Sequence, residues 1–128
     1  MADFYARTVP EQSSIGLAFG QLVDFVETRE PAHLYFALSR LNDPLRDAAR
    51  VFGYGAKKYA PWNWLKGMPW SVPLACAIRH YMAIRDGEDI DPESGLPHEG
   101  HFACNVIMLI QYTKTYQEGD DLPPGVER

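Results

Sequence analysis

No stretch of about 18 apolar residues occurs anywhere in this chain, which argues against a membrane-spanning helix. The N-terminus has no basic region followed by a hydrophobic segment, so it does not read as a secretory signal. Cysteine is scarce: Cys76 and Cys104 both fall inside helical patterns, with no CxxC pair. That disfavours a zinc-finger-type site, and buried, reduced thiols in a cytosolic compartment are expected instead. A Walker-A GxxxxGK[ST] and a GxSxG are both missing, which excludes a P-loop and disfavours a covalent serine nucleophile. No hairpin signal, convincing alternating strand, internal repeat or low-complexity tract is present.

What is present is a chain of 128 residues that is 46% apolar, enough for one domain with a core and too short for two. The net charge of −5 is unevenly laid out. Asp43 to Arg85 holds seven basic residues against two acids, and Asp86 to His101 holds six acids and no Lys or Arg. Adjacent blocks of opposite sign suit a site that must hold a polyphosphate and the divalent cations bound to it. The absence of an overall basic excess argues against duplex DNA as a partner.

Helical spacing dominates. Residues 1–12 carry little pattern and are expected to be an irregular lead-in. Ser13 or Ser14 caps a first helix with Leu17, Ala18, Leu22, Phe25 and Val26 in register. Pro31 starts a second, short helix, and Pro44 a third whose stripe is Leu45, Ala48, Ala49 and Phe52. Gly53 and Gly55 should weaken that third helix, leaving Ala56–Trp70 as an ordered loop. A fourth helix is expected from about Ser71 to Arg85, an acidic connection from Asp86 to Pro97, and a fifth helix from about His98 to Tyr116. The tail from about Gln117 reads as irregular. The fold class is therefore all-α: a compact bundle of about five helices, residues 1–128 as one domain, with two long loops bracketing the fourth helix.

His98, His101 and Asn105 share one side of the fifth helix with Leu109 and Tyr112, so three polar groups stand at the mouth of an apolar stripe. Buried without partners they would each cost about 1–3 kcal/mol. On the fourth helix His80 shares a face with Cys76, Ala77 and Ile84, and Arg79 beside it calls for an anion. Glu88, Asp89, Asp91 and Glu93 crowd one short segment whose hard oxygens suit Mg²⁺ or Mn²⁺, and the register excludes an EF-hand. Solvated surface carboxylates are the plain alternative. Lys57, Lys58 and Lys66 can neutralise phosphates, Asn63 supplies an amide, and Tyr59, Trp62 or Trp64 can stack on a base. For Trp62 and Trp70, packing of the loop onto the bundle is the preferred reading.

The run Gly55-Ala56-Lys57-Lys58-Tyr59, then Asn63-Trp64 with Gly67, Trp70, Arg79-His80 and Gly87-Glu88 with Asp91, Glu93-Ser94-Gly95-Leu96, His98 and His101 resembles a family common in bacteriophages. It is the dATP/dGTP diphosphohydrolase-type domain, similar to the MazG-like all-helical nucleotide pyrophosphohydrolases. The resemblance spans roughly residues 43–113. It implies hydrolysis of a (deoxy)nucleoside triphosphate, dGTP or dATP foremost, to a monophosphate and pyrophosphate, with Mg²⁺ or Mn²⁺ as cofactor. It also implies a homo-oligomer (dimer or tetramer) in the cytoplasm, the host's if the chain is phage-encoded.

In the MazG-like group an ExxE pair on one helix and an ExxD pair on another hold the metal. Glu88 and Asp91 stand for the second pair, whereas the third helix offers only Asp47, with Arg50 where relatives often carry an acid. The resemblance thus assigns catalysis to Glu88, Asp91 and His98. Metal binding falls to Glu88, Asp91, Glu93, His98 and His101. Substrate binding falls to Lys57, Lys58, Asn63, Trp64, Lys66, Arg79, His80 and Asn105. Two other readings remain: an HD-like phosphohydrolase in which His80, Asp91, His98 and His101 share a metal, and a non-catalytic nucleotide-binding module.

Overall fold

A computed structural model describes residues 13–41 and 43–124. The expected irregular lead-in over residues 1–12 lies outside the described residues. Among the described residues there are five α-helices: α1 (Ser14–Thr28), α2 (Ala32–Ser39), α3 (Pro44–Lys58), α4 (Ser71–Arg85) and α5 (His98–Thr115). Single 3₁₀ turns follow at Asn63–Lys66 and Gln117–Gly119. The all-α bundle expected from the periodicity is the fold observed. Among the described residues no helix is long and apolar enough to cross a membrane.

Local signals explain most boundaries. Ser13 Oγ accepts from the Gly16 N–H at 3.2 Å, satisfying one orphan donor of α1. Pro44 opens α3, where its missing N–H costs nothing. Ile15, Ala18, Leu22 and Phe25 form the buried stripe of α1. The central element is α5: every residue from Gly100 to Val106 is buried, with Phe102, Val106, Leu109 and Tyr112 wholly enclosed. A helix flanked by α2, α3 and α4 has no solvent face over that length, so its sequence shows little amphipathic contrast.

Three expectations are corrected. First, α3 does not weaken at Gly53 and Gly55 but runs through both to Lys58. Each glycine costs about 1 kcal/mol of helix propensity. Packing of α3 along α5, and Lys57 and Lys58 against the C-terminal dipole, offset that cost. Second, its inward stripe is not the one expected: Leu45 is 74% exposed, and the buried positions are Ala48 and Val51, with Phe52 half-buried beside them. Third, the tail, which has no regular secondary structure beyond the turn Gln117–Gly119, is not frayed but tied to the bundle. Trp70 donates its N–H to Gly119 O and its Nε1–H to Tyr116 O, both at 2.9 Å. Asp121 accepts from Ser71 N–H at 2.9 Å and Ser71 Oγ–H at 2.6 Å, capping α4, and Leu122 is buried. These contacts span about fifty residues of sequence, so no local signal announces them.

Candidate active site

The acidic connection closes on itself. Ile90 and Pro97 form an isolated antiparallel bridge, Asp91 N–H donates to Leu96 O, and His98 N–H donates to Asp89 O. Gly95 closes the turn at φ 72°, a left-handed conformation that glycine adopts without strain. Asp91 Oδ2 accepts from both the N–H (3.1 Å) and the hydroxyl (2.8 Å) of Ser94. This clasp separates two carboxylates that the ExxD spacing pairs. Asp91 and Glu93 border a cavity between α3, α4 and α5, whereas Glu88 lies at a separate shallow recess with Ala83, Asp86 and Gly87.

The main cavity has a volume of about 710 Å³ and gathers most of the sequence-selected groups. Lys58, Asn63 and Trp64 border it from the α3 side, and Arg79 and His80 from α4. Asp91, Glu93, His101 and Asn105 complete the polar wall. Lys57 and Lys66 are exposed and do not border it, and Glu88 and His98 stand behind it. Asp47 is not at the cavity either: it packs against Gly100. Lys58 Nζ meets Glu93 Oε1 at 2.7 Å, tying the basic helix to the acidic loop, and that bond holds Lys58 above and Glu93 below their ordinary pKa values. Arg79, by contrast, has no carboxylate partner among the described residues; its guanidinium approaches only Cys76 Sγ, at 3.6 Å.

Sequence reasoning missed some of the lining. Trp62, expected to pack, is 71% exposed at the cavity edge, held at φ 60° where the chain turns into the 3₁₀ turn. Trp70 does pack, at 2% exposure. Tyr54, which nothing in the spacing singled out, reaches Glu93 at 3.4 Å, and Ser94, quoted in the family motif but given no role, bridges Asp91 and His101. Gly67 sits at φ 95° with the Tyr116 ring 2.9 Å from where a Cβ would stand, which fixes the Asn63–Lys66 turn against α5. The Tyr112 hydroxyl donates to Trp64 O at 2.6 Å from the other side. Neither cysteine is bonded to another; Cys104 is buried, its thiol pushed up to about 12 by that burial, while Cys76 is only half-buried.

Three histidines meet at the back of the cavity. His98 Nε2 lies 2.7 Å from Glu88 Oε1, and His98 Nδ1 lies 2.7 Å from His80 Nδ1. A carboxylate can only accept, so His98 donates from Nε2; a neutral His98 then accepts at Nδ1 from the Nδ1–H of His80. The chain Glu88–His98–His80 therefore leaves Nε2 of His80 as a bare lone pair. The same logic applies to His101. Ser94 donates its hydroxyl to Asp91 and accepts from His101 Nε2 at 2.7 Å, so His101 carries its proton on Nε2.

His80 and His101 stack at 4.3 Å with 9° between their planes, an arrangement two imidazolium cations would resist. Burial, then the neighbouring His101, His98 and Arg79, lowers His80 to about 4; burial also lowers His101, with Asp91 opposing. For Asp91, burial pushes upward, but the Ser94 bonds and His101 outweigh it and the net shift is downward. Among the described residues no three His, Cys, Asp or Glu side chains are grouped so as to hold an ion.

These shifts predict a pH dependence of stability. An unfolded histidine titrates near 6.5, while folded His80 stays neutral to about 4. The unfolded state therefore binds the extra proton first. The stability is complete above pH 6.5 and is lost as pH falls from 6.5 towards 4, by about 2 kcal/mol. A thermal melt series from pH 7.5 to 4.5 should show Tm falling across that window; a flat profile would contradict the buried neutral assignment.

Residues 28–122 match the family model described as "dATP/dGTP diphosphohydrolase, N-terminal". The chain belongs to that family. The family match takes in α2 to α5 and every residue of the polar cavity wall. The chain is also similar to a Salmonella phage PMBT28 protein named dATP/dGTP diphosphohydrolase, 29% identical over 75 residues. That stretch is 59% of this chain and 26% of the phage protein, so the match spans about a quarter of that relative's length. No solved structure matches the chain.

Proposed function

We propose that this diphosphohydrolase-family chain cleaves a deoxynucleoside triphosphate between its α and β phosphates, giving a deoxynucleoside monophosphate and pyrophosphate. The observation that carries this reading is the single cavity in which aromatic rings, unpaired Arg79, the Asp91–Glu93 carboxylates and neutral His80 meet. The phage relative's name makes dATP and dGTP the first substrates to test.

In the proposed reaction a water oxygen bonds to the α-phosphorus while the bond to the bridging oxygen breaks, and pyrophosphate leaves with that electron pair. Nε2 of His80 takes the water's proton, because its lone pair is free at neutral pH. His98 and Glu88 hold the ring in that tautomer and orientation. Glu88 and His98 are thus positioning groups here. Arg79 and Lys58 stabilise charge on the departing phosphates.

The donor set does not fit a resident metal cage, but it fits Mg²⁺ or Mn²⁺ arriving on the triphosphate. Such an ion needs only one or two protein carboxylates beside the phosphate oxygens, and Asp91 and Glu93 would hold it. Bound there, it would neutralise phosphate charge and polarise the scissile bond.

Incubating the protein with dGTP or dATP and MgCl₂ or MnCl₂ should yield the monophosphate and pyrophosphate in equal amounts, and chelation should abolish turnover. Release of orthophosphate or triphosphate would refute the reaction; tight binding without turnover in either metal would favour a nucleotide-binding module. The mass of the same sample by light scattering decides whether copies assemble into the dimer or tetramer we include in this reading.

A further inference from the structure

Gly55 occupies a place where a side chain is expected. It lies half-buried on the inward face of α3, one turn beyond Val51 and Phe52. Its backbone is not left-handed, and a Cβ built on it would meet nothing within 4 Å. Neither chain conformation nor packing among the described residues therefore calls for glycine there, and the residue costs the helix about 1 kcal/mol relative to alanine. What distinguishes Gly55 from exposed Gly20 of α1, which also has open space, is the cavity it borders.

Phe52 and Gly55 share a face of α3 at i and i+3, and Tyr59, the residue that ends the helix, also borders the cavity, so an aromatic, a gap and an aromatic follow one another along this wall. The rise from Phe52 to Tyr59 is about 10 Å, room for one flat ring between them. Phe52 is braced by Trp64, with ring centroids 5.2 Å apart. Glycine also lets a ligand approach the helix backbone closely.

A second, independent feature points to the same ligand. Asn105 is only 9% exposed yet borders the cavity. Its Nδ2 donates to His101 O at 2.8 Å, and because a carbonyl accepts only, the amide orientation is settled. Its Oδ1 has no hydrogen-bond partner among the described residues, and because no enclosed side-chain oxygen among them lacks one, this oxygen is open to the cavity it borders and can accept from a donor outside the chain.

We propose that Gly55 and Asn105 build the nucleobase subsite of this cavity: Gly55 opens the slot that admits the ring, and Asn105 Oδ1 accepts from an exocyclic amino group of the base. The subsite rests on the nucleotide-hydrolysing reading above and sharpens it to bases that carry an amine.

The test compares the better of dGTP and dATP with its counterpart lacking the amino group, deoxyinosine triphosphate or deoxynebularine triphosphate. Wild type should prefer the amino base in kcat/KM by roughly tenfold or more, and Asn105→Leu should reduce that preference to within about twofold. Gly55→Ala should raise Tm through helix propensity while raising KM roughly tenfold; Gly20→Ala should raise Tm alone. A wild type indifferent to the amino group overturns the role of Asn105, and an unchanged KM in Gly55→Ala overturns the slot. If wild type hydrolyses no triphosphate, the reaction assignment fails by itself. Calorimetric binding of deoxyguanosine monophosphate then decides the subsite: weaker binding to Gly55→Ala than to wild type supports it, and equal binding, or none to wild type, overturns it.

Discussion

Replacing His80 with glutamine is expected to lower kcat for dGTP by roughly 10²–10⁴-fold, the usual contribution of a positioned general base. The variant keeps comparable bulk at a residue only 8% exposed, but it has no ring lone pair to take the water's proton. Circular dichroism and the melting profile should remain those of a folded helical protein. The partners behind His80 should matter less. Glu88→Gln keeps an acceptor for His98 but loses the carboxylate charge that fixes the imidazole, so a loss of roughly 10–100-fold is expected. The two variants should also differ in pH response, since only His80 itself would take the proton. Activity of His80→Gln within tenfold of wild type would eliminate it as the base and return attention to His101, which shares the stack and whose Nε2 is engaged by Ser94.

The largest expected effect on stability comes from Gly100→Ala, although alanine is the better helix former. A Cβ at Gly100 would lie 2.8 Å from Asp47 Cβ, 3.0 Å from Asp47 O and 3.1 Å from its carbonyl carbon. Two of those three atoms are backbone, so no rotamer change relieves the contact; α3 and α5 must move apart. Overpacking of this kind costs about 1–3 kcal/mol, and it exceeds the roughly 1 kcal/mol that alanine returns in propensity. Valine adds a second and third methyl and should cost more. A thermal melt of Gly100→Ala beside Gly20→Ala makes the point by sign: the first should fall, the second rise, since nothing lies within 4 Å of a Cβ at Gly20. If both rise, the crossing of α3 and α5 is looser than the structure has it. Lys58 on α3 and His101 on α5 both line the cavity, so a shift between these two helices should lower the activity of Gly100→Ala as well.

By itself, the sequence determined the helical class, the proline and serine starts of the helices, the inward side of α5 and the opposed charge blocks. Those properties are local: each depends on capping groups, prolines or a repeat of three to four residues within one element. Even the burial of His98, His101 and Asn105 follows from their sharing a face with Leu109 and Tyr112. The extent of α3 was not legible, because two glycines argue locally for a break and packing along α5 overrides them. Nor was the fate of Glu88 and Asp91. The family resemblance pairs them as an ExxD, but bonds from Asp91 to Leu96 and from His98 to Asp89 fold the segment back and send one carboxylate to the cavity and the other behind it. Only tertiary structure decided which protons the histidines carry, since a tautomer is set by partners that lie 7 to 18 residues away. The same holds for the gap at Gly55, whose meaning depends on what three other elements leave empty beside it.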